Sequence, residues 1–431
     1  MRSGGLWRCG LIAALLTGAV LRFVWVEDME YKGDEAWTFD RTQNAGRSEP
    51  FPLVGLPTSL EFRNPGMSVW TFLALGRLAG VGEPTGLARA CQALNVAALF
   101  VLVAFALRWV DAEQREPWLW AAALASVNPL AVVFQRKIWP PSIFPLFSML
   151  LLIGWWRRDR RAGAFACGLI GVILGQMHLS GFFFVAGLAV WALLFDRRRV
   201  AWLSWLAGSL CGLLPLLPWL ADVARHWAEW PARARFWAHA PEPKFWTHWF
   251  TEPFGIGLKY ALGEDFATFF AGPPWHGRPT YGVALLHAVV GVTAGIIVIR
   301  AAIAVWRERG SARELLTGRR SETAFIVSAG VWGYGLVFNA ACLRFYRHYL
   351  LVAFPLTFVW AAQLALAPAG AARLRHARAL LLVLCVAQAL ISVSFLVFVH
   401  QHQDGVRGDY GVPYAAQARP AVRALRPAPP P

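Results

Sequence analysis

The 431-residue chain is short of charge: only 15% of its residues are Asp, Glu, Lys or Arg, against roughly 25% in ordinary soluble domains. With 57% hydrophobic residues, that deficit excludes a water-soluble globule. Acidic residues are the scarcest, 25 against 41 Lys and Arg, which leaves a net charge of +16. A basic balance can signal nucleic acid. Here the basic residues sit in short clusters between apolar runs, where the positive-inside rule places them, so no nucleic-acid partner is expected. The six cysteines are scattered and form no CxxC pair, which argues against a disulfide framework. There is no HExxH spacing for a metal, no internal repeat, and no succession of short alternating segments such as a β-barrel needs.

Long apolar runs are what the chain does have. Eleven approach the roughly 20 residues that span a bilayer: about 6–26, 87–108, 118–135, 141–156, 163–178, 180–195, 200–220, 281–306, 322–342, 348–366 and 379–399. The expected fold class is an all-α polytopic membrane protein with about 11 transmembrane helices. The first run continues too far for a cleaved leader and reads as a retained helix. A twelfth stretch, "MSVWTFLALGRLAG" (67–80), is too short to cross and contains Arg77. If it lies flat at the interface and the N-terminus is cytoplasmic, "RRDRR", "DRRR", "RERGSARELLTGRR" and "RLRHAR" all fall inside. If it crossed, every later connection would flip. The membrane domain is therefore 1–399, with outer segments 27–86 and 221–280 carrying the active site, and 400–431 is an outer tail. The end of that tail, "RPAVRALRPAPPP", has the composition of disorder. Outer segments 27–86 and 221–280 hold 15 of the 25 acidic residues. The spans hold essentially none, which weakens a transporter reading.

Three outer features carry candidate chemistry. "YKGDEAWTFDRTQ" (31–43) sets Asp34 and Glu35 just beyond the first membrane exit. Adjacent residues do not share a helix face, so one of the pair points into a pocket, and Asp34 is the expected general base. The alternative is a solvated loop or a capped helix start. "FQRKIWPPS" and "CLRFYRHYL" are short outer turns carrying Arg136, Lys137, Arg344, Tyr346, Arg347 and His348. These are cations suited to a phosphate, or else interfacial anchors. A helical turn would let Arg344 and Arg347 fork onto one phosphate, whereas an extended one would point them apart. His178, in "GQMHLSG", is a further turn residue. The Trp-rich stretch "HWAEWPARARFWAHAPEPKFWTHWF" suits sugars and lipid interfaces alike.

The pattern resembles the GT-C glycosyltransferases, and within them the branch of protein O-mannosyltransferases, aminoarabinose transferases and their bacterial relatives. "GDEAW" is similar to the Asp-Glu opening of that family's first outer loop, and "FRNPGMSVWTF" to its interfacial stretch. "GLARACQALNV", "FQRKIWPPS", "RFYRHY" and the tail "GDYGVPYAAQ" are similar to later motifs. Asn64 stands where the family often has His, and no Asp follows Arg136. The resemblance implies an outward-facing site in an integral protein of a bacterial inner membrane. It implies a polyprenyl-phosphate sugar as donor, a lipid, glycan or protein acceptor, and membrane lipids around the chain. Asp34 would be the base and Glu35 its support or a ligand of a divalent metal. No cofactor is otherwise required. Transfer from a lipid phosphate already has a good leaving group, so one base suffices where a glycosidase needs two carboxylates. The expected outcome is inversion at the sugar carbon. Two other readings compete: a lipid-linked polysaccharide polymerase or ligase, relying on the 221–280 segment, and a non-enzymatic transporter or scaffold. Neither needs Asp34.

Overall fold

The computed structural model describes residues 3–57, 63–226, 240–308, 312–366 and 371–418. Nearly all of its regular structure is helix. α1 (Ser3–Phe23) delivers the chain to the first segment expected to lie outside, which holds α2 (Gly33–Asn44), the antiparallel strands β1 (Val54–Pro57) and β2 (Arg63–Pro65), and α3 (Met67–Leu78). α4 (Pro84–Arg108) opens with proline at its first position, where the missing N–H costs nothing. α5 (Arg115–Val127) and α6 (Pro129–Phe134) follow. Then come α7 (Phe144–Trp155), α8 (Arg161–Met177), α9 (Ser180–Phe195), α10 (Trp202–Leu213) and α11 (Leu217–Arg225). The second outer segment holds α12 (Lys244–Thr251), α13 (Lys259–Leu262), α14 (Phe266–Ala271) and a small hairpin, β3 (Pro274–Trp275) with β4 (Arg278–Pro279). The rest comprises α15 (Gly282–Glu308), α16 (Ala312–Thr317), α17 (Glu322–Ser328), α18 (Gly335–Ala340), α19 (Leu356–Leu366), α20 (Ala371–Gln401) and α21 (Tyr414–Ala418).

All eleven apolar runs are helical, but not as eleven uniform rods. Among the described residues, five stretches are long and apolar enough to cross unaided: Pro84–Arg108, Trp202–Arg225, Gly282–Arg307, Glu322–Ala340 and Leu374–Gln401. The run 348–366 is bent by 80° between Arg347–Ala353 and α19, at Pro355, which has no N–H to continue the ladder. The run 118–135 breaks at Asn128, held extended by the proline after it. The Asn128 side chain then caps α6, accepting from the Ala131 N–H at 3.0 Å, and donates to the Glu252 carbonyl at 2.9 Å. The carbonyls that the break frees are met inside the protein, Ala125 and Ser126 accepting from Arg22 and Val127 from the Ser392 hydroxyl, as a membrane interior requires. α3 spans 12 residues, about 18 Å at 1.5 Å per residue, well short of a hydrocarbon core of roughly 30 Å. It buries one face through Ser68, Val69, Phe72, Leu73 and Gly76.

Small residues set the closest helix approach. A Cβ on Gly168 of α8 would meet the Trp205 carbonyl oxygen, and one on Gly208 of α10 the Phe165 carbonyl oxygen, both closer than atoms can stand. This is the small-residue packing typical of membrane helices. Outward faces are apolar: Leu285, Val292, Ile296, Ile299 and Ile303 run exposed along α15. Such a continuous exposed apolar stripe marks a lipid contact, and the chain is an integral membrane protein.

Candidate active site

The Asp34–Glu35 pair occupies the first turn of α2, and the structure divides its labour. Glu35, at the third helical position, accepts a hydrogen bond from the Lys32 backbone N–H at 2.9 Å. That satisfies one of the donors a helix start leaves orphaned. Its side chain turns inward and is 1% exposed. There it lies 3.6 Å from Lys137 Nζ, while Lys137 makes a closer pair, 2.9 Å, with Glu30. Lys32 closes the set with a 2.6 Å contact to the other oxygen of Glu30. Two carboxylates and two ammonium groups thus form one chain of alternating charge. Burial raises the Glu35 pKa, with Lys137 opposing and Glu30 adding to the rise. Asp34 is exposed and makes no ion pair among the described residues. Of the two, then, Glu35 points into the protein and Asp34 into the open. The sequence expectation put Asp34 in the pocket; a glutamate at that third position is drawn inward by the helix-cap bond and by Lys137.

Arg136 and Lys137 do not act as a pair. The Arg136 guanidinium, 2% exposed, donates to the carbonyls of Leu21, Arg22 and Trp25 at 2.6, 3.1 and 2.8 Å. The first two are carbonyls that the end of α1 leaves unsatisfied; the Trp25 carbonyl, just beyond it, also accepts from the Asp28 N–H. This placement is a correction to the phosphate grip expected of Arg136. Lys137 lies 4.3 Å from the centre of the Trp139 ring. Past Trp139 an aromatic cluster begins: His348 packs edge-on to Trp139 at 4.6 Å, to His178 at 5.7 Å and to Tyr349 at 4.6 Å, and stacks on Tyr346 at 5.8 Å. His178, Tyr346 and His348, singled out separately in sequence, therefore meet. The Ser180 backbone N–H donates to His178 Nδ1 at 3.3 Å.

Residues 343–346 are not helical and Tyr346 is extended, at φ −113°, ψ 144°, so the helical fork of Arg344 and Arg347 does not form. Arg344 lies exposed, 5.4 Å from the ring centre of Tyr346. Arg347 turns the other way, donating to Glu252 at 3.0 Å and to the Ile256 carbonyl at 3.1 Å. Burial pushes the Glu252 carboxyl up and Arg347 holds it down. Asn64 belongs to β2, where its side-chain amide donates to the Leu56 carbonyl at 3.1 Å. It ties β2 to β1 and is not gathered with Glu35 and Lys137.

The tail contributes residues that sequence reasoning left out. Tyr410 Oη donates to the Asp28 carbonyl at 2.5 Å, the Tyr414 backbone N–H to the Met29 carbonyl at 3.1 Å, and the Gln417 amide to the Tyr31 carbonyl at 2.6 Å. Lys32 Nζ donates to the Asp409 carbonyl at 2.6 Å. On its other side the tail grips the second outer segment, with the Arg407 N–H on Asp265 at 2.7 Å and the Tyr410 N–H on the Ala261 carbonyl at 2.9 Å. The residues expected to be disordered, 419–431, lie outside the described residues, as do 227–239 of the Trp-rich stretch. A cavity of about 330 Å³ lies between Tyr31, Lys32, Gly33, Ala36, Val412 and Gln417. Asp34 stands about 100° round the helix from Gly33, away from that wall. Among the described residues no three His, Cys, Asp or Glu side chains come together as a metal site. Both Glu35 oxygens have partners, Lys137 and the Lys32 N–H. Glu30, Lys32 and Asp409 were not assigned a role because Lys137 and the tail lie far off in sequence; the local signals were the acidic run "EDME" before Tyr31 and the tail motif "GDYGVPYAAQ".

No protein-family model matches the chain, and no curated protein matches it significantly in sequence. Among solved structures, the apo oligosaccharyltransferase of Archaeoglobus fulgidus is similar over 89% of this chain, with a TM-score of 0.50 and 13% identity. The chain spans about half of that protein, 55% of its length. At that identity the likeness concerns architecture: the chain has a GT-C-like, polytopic all-α membrane fold.

Proposed function

We propose that this protein is a membrane glycosyltransferase. It moves a sugar from a polyprenyl-phosphate-linked donor to an acceptor hydroxyl at the outer face of a bacterial inner membrane, with its N-terminus cytoplasmic. The observation that carries the reading is the division between Asp34 and Glu35: a buried, charge-balanced set anchors the start of α2 and leaves one unpaired carboxylate projecting from it. The fold shared with an oligosaccharyltransferase supports glycosyl transfer as the use of that carboxylate.

In the proposed step Asp34 accepts the acceptor's hydroxyl proton. The oxygen attacks the sugar's anomeric carbon from the face opposite the phosphate. The carbon–oxygen bond to phosphate breaks, and its electron pair leaves on the phosphate, with inversion. No acid need protonate that leaving group, which fits a single free carboxylate. We assign Arg344 to the departing phosphate because it is exposed, has no ion pair among the described residues, and rests over Tyr346. Arg347 and Lys137 instead hold the frame through Glu252, Glu30 and Glu35. The sugar and the acceptor class, whether lipid, glycan or protein, follow from assay.

The test is Asp34→Asn in membranes supplied with polyprenyl-phosphate sugars, with glycan, lipid and glycoprotein products followed by mass spectrometry. Transfer is expected to fall by about 10²–10⁴, the share of a positioned base, with the melting temperature unchanged because the side chain is exposed and unpaired. Near-normal turnover would sink Asp34 as base. Identical product profiles with and without the wild-type protein would sink the enzyme reading.

A further inference from the structure

Three helix connections meet beside Lys137, and most of the side chains at their junction take no part in the step proposed above. Trp139 comes from the α6–α7 connection, His178 from α8–α9, and Tyr346, His348 and Tyr349 from α18–α19. His348 is the hub: the other four rings lie 4.6 to 5.8 Å from it, centre to centre. All five side chains are half-buried. An interfacial belt needs no contact among its aromatic residues, whereas these form one contiguous cluster.

The polar atoms of that cluster are unanswered. Trp139 Nε1, Tyr346 Oη, Tyr349 Oη and both ring nitrogens of His348 have no hydrogen-bond partner among the described residues, and none of them is sealed from solvent. His178 Nδ1 accepts from the Ser180 N–H at 3.3 Å, so in the neutral ring the hydrogen sits on Nε2. That atom is equally free and equally open. Rings that bury apolar faces against one another and keep neutral donors and acceptors at an open edge suit a sugar, which has apolar C–H faces and a rim of hydroxyls.

The position of the cluster supplies a second argument. At one end Lys137 Nζ stands 4.3 Å from the centre of the Trp139 ring and 3.6 Å from Glu35, the neighbour of Asp34. At the other end Arg344 lies 5.4 Å from the centre of the Tyr346 ring. In a displacement with inversion the sugar ring must be held between the attacking oxygen and the departing phosphate. The rings fill the interval between the helix that carries the base and the cation assigned to the phosphate. No Asp or Glu pairs with either histidine among the described residues. An ammonium group on the sugar would therefore meet a cation at each end of the cluster and no acid within it.

We propose that Trp139, His178, Tyr346, His348 and Tyr349 form the seat of the donor's sugar, and that the sugar they hold is uncharged. The inference rests on the proposed function and narrows it, from any lipid-phosphate sugar to one recognised through neutral hydroxyls.

Binding to the purified full chain in neutral detergent tests it, read by competition against a fluorescent short-chain polyprenyl phosphate. The competitors are bare polyprenyl phosphate and the same lipid carrying mannose, glucose, arabinose or an aminopentose. At least one uncharged sugar is expected to tighten binding about tenfold over the bare lipid, the combined effect of two or so neutral hydrogen bonds. The aminopentose is expected to add nothing. His348→Ala and Tyr346→Phe are expected to remove most of the tenfold ratio. Arg344→Gln is expected to weaken sugar-bearing and bare lipids alike and so to keep it. Should His348→Ala fail to fold, Tyr346→Phe, which removes one hydroxyl, and Trp139→Phe, which removes one N–H, decide. The inference is overturned if no uncharged sugar improves on the bare lipid, if the cluster variants keep the ratio, or if the aminopentose gains as much as arabinose. Bare lipid that binds with no gain from any sugar sinks the sugar seat and leaves the donor reading standing. Failure of every polyprenyl phosphate to bind sinks both.

Discussion

Lys137→Met removes the cation that Glu30 and Glu35 share. Lys32 still holds Glu30 at 2.6 Å, so Glu35, 1% exposed, is the charge left without a cation. Removing one partner of a buried pair costs about 3–5 kcal/mol. A second route gives the same size. The variant can escape by protonating Glu35, and carrying a carboxyl from its ordinary pKa of about 4.3 to neutrality costs about 3.7 kcal/mol at pH 7. The same escape costs about 1 kcal/mol at pH 5. The sign follows from the direction of the shift: burial already raises the Glu35 pKa, and losing Lys137 raises it further. The stability that goes with its protonated form is complete below the ordinary carboxylate pKa and is lost as pH rises through the higher folded value. Melting curves of purified wild type and variant at pH 5 and pH 7 should therefore show a deficit that is large at pH 7 and much smaller at pH 5. Adding Glu35→Gln, which keeps an acceptor for the Lys32 N–H, should restore most of the loss. A variant that melts with the wild type at pH 7, or whose deficit is the same at both pH values, would refute the network as described.

Arg344→Lys should impair transfer several-fold without lowering membrane abundance, because a point charge cannot reproduce a bidentate fork; full activity would leave Arg344 an interfacial anchor. Arg136→Leu, which takes the guanidinium from the Leu21 and Arg22 carbonyls at the end of α1, should cut folded yield in fluorescence-detected size exclusion; unchanged yield would mean that those carbonyls find other partners. Reporter fusions at residues 84 and 405 should both report the outer side, and a cytoplasmic signal at 84 would reverse the assignment of the short α3.

The helices were legible because apolar run length is a property of the chain alone, so all eleven runs could be read before any contact was known. What their ends do was less so. The break at Asn128 was visible as "NPL", but its value lies in the partner Glu252, 124 residues away. Arg136 and Lys137 are neighbours of like charge that look interchangeable in sequence. One meets the spent end of α1 and the other meets two carboxylates, and only tertiary placement separates them. Asp34 and Glu35 were legible as a pair with one member turned inward. Which one was decided by the cap bond to the Lys32 N–H and the distant Lys137. In the 343–346 turn, helix and extension were both consistent with the residues, and the buried attachment of Arg347 to Glu252 selected extension.

The strap made by residues 402–418 also bears on the order of events in biosynthesis. Lys32 and Asp409 are 377 positions apart, and the strap is translated after every membrane helix. Contacts of such separation form last. The segment that holds α2 must therefore wait, with Lys32 partly unattended, until α20 has been made and the strap has followed it. An interrupted chain could hold every membrane helix and still lack Val412 and Gln417, which wall the cavity beside α2. That cavity is thus complete only in a chain translated past residue 417.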